Sequence, residues 1–200
     1  MNSQFNTFAA KRRSIYALGN NLSQTPEEIF DLVKETIKNS PTAFNSQTVR
    51  AVILFGQSSD KVWDIVEDTL HKIVKDPNAF AKTKEKIAAF RAGYGTILYF
   101  TDTAIVHQLE NDYPSYADNF ANWAEQGLGG AQQAVWTALA ENGIGASLQH
   151  YNPLIDDAIH QTFNIPANWQ LRAEMPFGSI EAAAGEKTHL NDEEMFKLIK

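Results

Sequence analysis

The sequence contains no cysteine. This absence excludes disulfide bonds, thiolate nucleophiles, iron–sulfur clusters and cysteine-ligated zinc, so any redox chemistry has to come from a bound cofactor. A Gly-x-Ser-x-Gly elbow and a Walker loop are also missing. Histidines are few, and because they form no HxxxH or HExxH pattern, local spacing predicts no metal site. They are His71, His107, His150, His160 and His189.

Positive charge is scarce, since 17 lysines and arginines stand against 24 aspartates and glutamates and give a formal net charge of −7. Long-range repulsion of this sign argues against nucleic acid and anionic membranes as partners. Long hydrophobic runs are also absent: none approaches the roughly 20 residues that cross a bilayer, and residues 1–13 have no apolar core of a secretion signal. We therefore expect a cytoplasmic protein.

The chain has 200 residues, and 44% of them are hydrophobic, which is enough for one substantial core. No repeat, low-complexity segment or convincing linker divides the sequence. It therefore predicts a single domain over residues 1–200.

Helix and strand patterns alternate without the regular βαβ rhythm of a doubly wound sheet. Thr25-Pro26-Glu27-Glu28 has the cap, the proline and the acidic residue of a helix start, and predicts a helix of about 13 residues that ends at Ser40-Pro41. The β-branched runs Val49–Phe55 and 95–101 predict two buried strands, with a one-faced helix over residues 62–74 between them.

Residues 123–141 combine helical periodicity with many glycines and alanines, which favours a central, closely packed helix. Residues 144–148 and 172–177 predict two further short strands. The whole pattern predicts an α+β fold in which a mixed central β-sheet is flanked by helices.

The densest positive cluster is Arg12-Arg13-Ser14, at the end of the first predicted helix. Two guanidinium groups and a hydroxyl can together bind the oxygens of a phosphate, which carries about −1.5 to −2 charges near neutral pH. The same residues also suit a solvated basic helix end that complements the helix dipole. This motif alone leaves both interpretations open.

The polar loop Ser40-Pro41-Thr42-Ala43-Phe44-Asn45-Ser46-Gln47 joins a predicted helix to a predicted strand. Asn45 and Gln47 each offer a donor and an acceptor, which suits the alternating N–H and C=O edge of a flavin pyrimidine ring. Turn formation alone would select several of these residue types, so the loop by itself is a weak functional signal.

The order of these segments resembles the nitroreductase family: a helix, the Arg-Arg-Ser cluster, the Ser-Pro-Thr-x-Phe-Asn-Ser-Gln loop and a strand. The likeness covers essentially the whole chain and points to the subgroup of the bacterial copper-induced nitroreductase and the fungal fatty-acid-repression mutant protein. Further matching segments are Tyr116-Ala117-Asp118-Asn119-Phe120, Leu148-Gln149-His150-Tyr151-Asn152-Pro153, Phe177-Gly178-Ser179 and Gly185-Glu186-Lys187.

The resemblance implies FMN as the cofactor and assigns residues to it. Arg12, Arg13 and Ser14 would hold the phosphate and the ribityl chain, while Asn45 and Gln47 would meet polar atoms of the flavin or the ribityl chain. The remaining members of the expected cofactor site are Gln149, His150, Lys187 and His189.

This chain departs from the better-known members at three places. A Lys-x-Arg pair near the C-terminus becomes Lys187 and His189, so we expect that phosphate contact to be weaker or pH-dependent. The usual Pro-Trp after Asn-Ser-Gln becomes Thr48-Val49, and His150-Tyr151 stands where a Glu-Gly often approaches the flavin. These changes concern the electron donor and the substrate pocket more than the cofactor.

Several aromatic side chains are candidates for a flat substrate pocket, although core packing explains any one of them equally simply. The group comprises Phe44, Phe90, Tyr116, Phe120 and Trp123. From this group we assign Phe44, Tyr116 and Trp123 to the substrate site.

The implied activity is reduction of nitroaromatics, quinones or similar acceptors by NADH or NADPH, with hydride passing through flavin N5 in a ping-pong cycle. A flat site can accept protons from water, so we name no catalytic residue. The small-residue helix and the family together predict a homodimer with FMN between the subunits.

Two alternatives stay open at this point. One is a flavin-binding regulatory protein that responds to lipid, metal or oxidative stress and has only incidental reductase turnover. The other is an acidic structural homodimer without a cofactor.

Overall fold

Eight α-helices and five strands alternate over residues 3–200, the part of the chain that the computed structural model describes. Met1 and Asn2, the first two residues of the predicted domain, lie outside the described residues. The helices are α1 (Gln4–Lys11), α2 (Pro26–Lys38), α3 (Gln57–Ile73), α4 (Pro77–Arg91), α5 (Thr103–Asp112), α6 (Ala117–Glu141), α7 (Asp156–Phe163) and α8 (Asp192–Met195). The strands are β1 (Leu18–Gly19), β2 (Val49–Phe55), β3 (Gly95–Asp102), β4 (Gly145–Ala146) and β5 (Trp169–Ile180).

The strands form one sheet in the order β1-β5-β3-β2, and β4 also pairs with β5. The predicted α+β class is confirmed, and every pairing between these strands is antiparallel. The parallel component that a mixed sheet would contain is an isolated bridge between Ser14 and Ala146.

The two predicted long strands differ in burial. All residues of β3 are buried, because this strand lies between β2 and β5. In β2 only Leu54 is buried. We expected both strands to be buried, but β2 is the last strand of the sheet and so keeps one edge open in the single chain.

Helices cover both faces of the sheet and create two hydrophobic cores. On one face, α2 and α6 pack against the sheet through residues such as Val33, Val135 and Leu139. On the other face, α3, α4 and α7 bury Trp63 and Phe90 together with their neighbours. This arrangement places the small-residue helix α6 directly on the sheet, as its composition predicts.

The predicted start of α2 is confirmed in atomic detail. The Oγ1 atom of Thr25 accepts the N–H of Glu28 at 3.2 Å, and the Glu28 carboxylate accepts the N–H of Thr25 at 2.8 Å. The helix ends at Lys38, just before Ser40-Pro41. Because this capping box is entirely local, sequence spacing predicts it well.

Other boundaries differ from the sequence predictions. Helix α6 begins at Ala117 rather than at residue 123, β4 is shorter than the predicted segment 144–148, and β5 is longer than 172–177. Helices α4 and α5 were not predicted, and in α4 the apolar residues do not follow one clear face of the helix.

Gly178 shows why the Phe177-Gly178-Ser179 motif needs its glycine. A Cβ atom at this position would collide with the backbone oxygen of Gly19, since β1 and β5 approach each other closely here. The glycine therefore permits the pairing that brings the N-terminal segment beside the end of β5.

Candidate functional site

The Arg12-Arg13-Ser14 segment lies against the sheet edge directly after α1. The N–H of Arg12 donates to the carbonyl of Phe8 at 3.0 Å, and the helix ends there. From there the chain is extended, and Ile15 donates its N–H to the carbonyl of Ala146 in β4 at 2.9 Å. Backbone pairing thus fixes the position from which the basic side chains project.

Two segments, residues 12–17 and 182–187, enclose a cavity of about 460 Å³. The Nη2 atom of Arg13 donates to the carbonyl of Gly185 at 2.7 Å and so ties the two walls together. Arg12, Arg13 and Lys187 bring three positive charges to the lining and Glu186 brings one negative charge, which leaves an excess of two positive charges. The cavity is therefore suited to an anion.

Trp136 of α6 supports the Arg12 side chain. The guanidinium carbon of Arg12 lies 4.6 Å from the centre of the Trp136 ring, and the indole N–H donates to the carbonyl of Ala146 at 3.1 Å. This stacking orients the guanidinium while leaving its N–H groups free to bind oxygen atoms.

The structure brings Arg12, Arg13, Ser14 and Lys187 together in this one cavity, and their contact with a phosphate stays a prediction. His189 lies two residues beyond Lys187, is exposed, and is not part of the cavity wall. Its role as a phosphate ligand stays a prediction.

The second predicted segment, residues 40–47, contributes Phe44 to an aromatic cluster. The Phe44 ring stacks on Trp123 with centroids 6.1 Å apart and an interplanar angle of 18°. Tyr116 lies 6.0 Å from Phe44, so the three residues assigned to the substrate pocket are neighbours. Tyr113 and Phe120 complete the cluster at 5.0 Å and 5.3 Å.

A cavity of about 580 Å³ opens beside this cluster, between the loop and α6. Phe44 and Trp123 form its aromatic side, and Gly127 and Gly130 form its floor on the helix. Phe44 is 51% exposed, which is unusual for a ring with four aromatic neighbours. The cluster therefore leaves the apolar ring of Phe44 half exposed instead of closing completely into a core.

The backbone of this loop is strained. Phe44, Asn45 and Gln47 have φ values of 57°, 50° and 50°, in the left-handed region that favours glycine. Asparagine tolerates this region, but a bulky phenylalanine there is uncommon. Such strain persists only where surrounding contacts hold it, and it concentrates at binding sites. The Asn45 and Gln47 side chains do not share a cavity with Arg12 in the single chain.

Gln149 and His150 differ in accessibility. The side chain of Gln149 is buried and donates to the hydroxyl of Ser147 at 3.1 Å. His150 is exposed. The Gln149 backbone pairs with Glu174, and His150 is the member of the pair whose side chain is accessible; a cofactor contact for either residue stays a prediction.

Glu174 in β5 is completely buried, and sequence reasoning did not single it out. Its Oε2 atom accepts the N–H of Tyr151 at 2.9 Å, while Oε1 has no hydrogen-bond partner within residues 3–200. Burial raises the pKa of Glu174 from its ordinary 4.5 to about 8, and the nearby Asp156 adds to the rise. Burial raises the pKa of Asp156 as well, and that of Tyr151 to about 12.

Trp136, Tyr113 and Glu174 are the residues that the sequence patterns missed. Trp136 fits the helical periodicity of α6, so its sequence context shows only a packing residue. Glu174 stands between Ala173 and Met175 in a predicted strand, and a glutamate flanked by apolar residues in this way is a recognisable signal.

The described residues hold neither a metal cluster nor a membrane helix. No group of three or more histidines, aspartates or glutamates between residues 3 and 200 is arranged to bind a metal ion. Over the same range, every helix is too short or too polar to cross a bilayer.

Residues 9–179 match the Nitroreductase family. The Saccharomyces cerevisiae protein HBN1 is 40% identical over 188 residues, which cover 92% of this chain and 93% of HBN1. The solved structure of nitroreductase CinD from Lactococcus lactis in complex with chloramphenicol has a TM-score of 0.90 and 47% identity, and covers 98% of this chain and 100% of CinD. CinD has also been solved in complex with 4-nitrophenol.

A more distant structure shares the fold. The FMN-dependent nitroreductase NfnB from Mycobacterium smegmatis, solved in complex with NADPH, is 14% identical and has a TM-score of 0.77, over 98% of this chain and 99% of NfnB. The bacterial and yeast relatives confirm the subgroup that the motifs indicate. This chain is an oxidoreductase and belongs to the nitroreductase family.

Proposed function

We propose that this chain is an FMN-dependent oxidoreductase that uses NADH or NADPH to reduce nitroaromatics, quinones or related acceptors. One observation carries the proposal: the cationic cavity of Arg12, Arg13, Ser14 and Lys187 occurs in a protein that is otherwise acidic. FMN ends in a phosphate, and guanidinium groups bind phosphate oxygens in charge-assisted pairs.

The residues present fit this cofactor at its phosphate end. Arg12 is oriented by Trp136, Arg13 by the carbonyl of Gly185, and both retain N–H groups for further acceptors. Ser14 adds a hydroxyl beside them. The cavity of about 460 Å³ lies within the usual range of cofactor pockets.

Residues 42–47, called the Phe44 loop below, supply apolar and polar contacts of the kind that a flavin ring needs. Its aromatic cluster provides an exposed apolar ring, Phe44, nearly parallel to Trp123, and Asn45 and Gln47 provide donors and acceptors. When bound, the flavin would take hydride from NAD(P)H and pass it to the acceptor, in the ping-pong order that the family implies. Chloramphenicol and 4-nitrophenol, the ligands of CinD, are both nitroaromatic, and this supports the same acceptor class here.

We further propose a homodimer in which two copies complete each site. Trp136 beside the phosphate cavity and Trp123 beside the loop cavity are 13 positions apart on α6, hence about 20 Å along its axis. Exposed Gly129 and Gly130 lie midway between them and have open space above them. Antiparallel packing of two copies of α6 about these glycines would bring the loop of one copy level with the phosphate cavity of the other.

The exposed apolar surface supports association as well. In the C-terminal segment Leu198 and Ile199 are 79% and 80% exposed, and Phe30 of α2 is 45% exposed. A monomer would leave this surface in water, whereas a second copy would bury it.

The test begins with the purified protein. A yellow protein with flavin absorbance, bleached without oxygen by NADH or NADPH and reoxidised by a quinone or a nitroaromatic, is the expected result. Colourless protein that takes up no added FMN would contradict the cofactor. Flavin that binds but turns over only slowly across the whole acceptor panel would favour the regulatory alternative.

A further inference from the structure

The conformation of the Phe44 loop depends on contacts outside the loop. Its own hydrogen bonds are short-range: Asn45 donates to the Thr42 carbonyl at 3.0 Å, and the N–H of Gln47 donates to the Thr42 hydroxyl at 2.9 Å. These bonds close a turn but leave the strained φ values of Phe44 and Gln47 without support from the rest of the protein. Phe44 is fixed on one side by the aromatic cluster. A second anchor is needed on the Gln47 side.

Arg50, three residues after Gln47, supplies that anchor. Its Nη1 atom donates to the carbonyl of Gln47 at 2.7 Å and to the carbonyl of Val49 at 3.0 Å. Its Nη2 atom donates to the carboxylate of Asp102 at 2.9 Å, and its guanidinium carbon lies 5.7 Å from the Trp169 ring. One planar group therefore joins the strained loop to the end of β3.

The Asp102 carboxylate is itself held in place by further hydrogen bonds. It is only 6% exposed, and its other oxygen accepts the N–H of Ala104 at 3.1 Å and the side-chain amide of Asn168 at 2.7 Å. Its own N–H donates to the carbonyl of Thr48 at 2.8 Å. A carboxylate held by β3, α5 and the segment before β5 cannot follow the loop if the loop changes conformation.

We propose that Arg50 is a positioning residue that holds residues 42–47 in their strained, ligand-binding conformation through Gln47. The inference rests on the proposed function, because the loop is the part assigned to the flavin ring and the acceptor. Arg50 acts through the loop and does not itself touch the ligand. Lysine cannot replace it, since one ammonium group cannot span the Gln47 carbonyl and the Asp102 carboxylate as the planar fork does.

The experiment compares Arg50→Lys and Arg50→Met with the unmodified protein. Hydrogen exchange of residues 42–47 is measured by mass spectrometry on flavin-free protein, and FMN dissociation constants are measured by flavin fluorescence. Both variants should speed exchange in the loop and raise the FMN dissociation constant about five- to thirtyfold, since only part of the population then has the competent loop. At saturating FMN, turnover per bound flavin should return toward that of the unmodified protein.

Arg91→Met is the matched control. Arg91 pairs with Asp64 at 2.6 Å and with Glu67 at 3.2 Å, and its side chain is 30% exposed against 27% for Arg50. It lies on α4 and lines neither cavity. This control should leave both the loop exchange and the FMN dissociation constant within about twofold of the unmodified protein.

Unchanged loop exchange in both variants, or faster exchange with unchanged FMN binding, overturns the proposal. Unchanged loop exchange with weaker FMN binding would mean that Arg50 contacts the cofactor directly. Faster loop exchange with unchanged FMN binding would mean that the loop conformation does not matter for binding. If the unmodified protein binds no FMN, the proposed function fails, and the exchange data alone still decide whether Arg50 holds the loop.

Discussion

The carboxyl group of Glu174 and the backbone N–H of Tyr151 are joined by a hydrogen bond of 2.9 Å. Backbone bonds between Glu174 and Gln149, at 2.7 Å and 3.0 Å, lie beside it. These three hydrogen bonds from one buried residue hold the segment of residues 149–151, which includes exposed His150.

This relationship predicts how stability depends on pH. The pKa of Glu174 is about 8 in the folded protein and near 4.5 when the chain is unfolded, so between these values the unfolded state is the one that has lost the proton. The free energy of unfolding should fall as pH rises through this window, by up to about 1.4 kcal/mol per pH unit from this group. Glu174→Gln should reduce the slope, and urea unfolding at several pH values measures it. Asp156 has a raised pKa too, so some slope should remain.

Exposed Glu193 in α8 provides the control for that experiment. Glu193→Gln should leave the slope unchanged. A Glu174→Gln variant with the same pH dependence as the unmodified protein would mean that Glu174 is ionised in the folded state across the window.

Removing the cationic side chains should weaken cofactor binding. Arg12→Ala and Arg13→Ala should each cost about 1 to 3 kcal/mol of FMN affinity, the usual worth of hydrogen bonds to a charged group. Arg13→Ala should have the larger effect, because it also frees the wall that carries Gly185. Equilibrium dialysis with flavin fluorescence measures the change. Neighbouring Lys11 does not line the cavity, so Lys11→Ala is the control.

The contribution of His189 can be measured in the same way. Its position outside the cavity wall predicts that His189→Gln has a smaller effect on FMN affinity than Arg12→Ala. Dissociation constants at about pH 6 and pH 8 would also reveal a contact that depends on a protonated imidazole. A loss as large as that of Arg12→Ala would mean that the tail folds over the phosphate in the bound state.

Loss of the Phe44 ring should weaken acceptor binding more than cofactor binding. Phe44→Leu removes the stacked contact with Trp123, and aromatic pairs contribute about 0.5 to 1.5 kcal/mol, so KM for a nitroaromatic should rise about 2- to 10-fold. Steady-state kinetics with a nitroaromatic and a small non-aromatic acceptor make the comparison. Phe80→Leu, which removes a ring of α4 that stacks on His71 of α3, should leave KM unchanged.

The proposed dimer predicts a steric effect on α6. Ala134 is partly exposed on α6, one turn after Gly130. Ala134→Leu should overfill the proposed close contact between the two copies of α6 and weaken dimerisation by about 1 to 3 kcal/mol. Light scattering over a range of concentrations gives the dissociation constant of the dimer. Ala81→Leu, at an exposed position of α4, is the control. A monomer at all concentrations for the unmodified, flavin-loaded protein would contradict the dimer.

Several features were determined by the sequence itself, because they depend on neighbours in the chain. The capping box of Thr25 and Glu28, the strand that ends just before Gly56 and the periodicity of α6 follow from local chemistry. The Arg-Arg-Ser and Ser-Pro-Thr-x-Phe-Asn-Ser-Gln motifs indicated the family, and the match over residues 9–179 confirms it.

Tertiary structure alone decided how these pieces meet. Arg13 and Gly185 are 172 positions apart, and Arg50 and Asp102 are 52 apart, so no local pattern predicts either contact. The buried state of Glu174 likewise depends on the helices that cover β5, since the residue type alone favours exposure. The strain at Phe44 exists because the aromatic cluster and Arg50 hold the loop from two sides, and both anchors come together only in the folded chain.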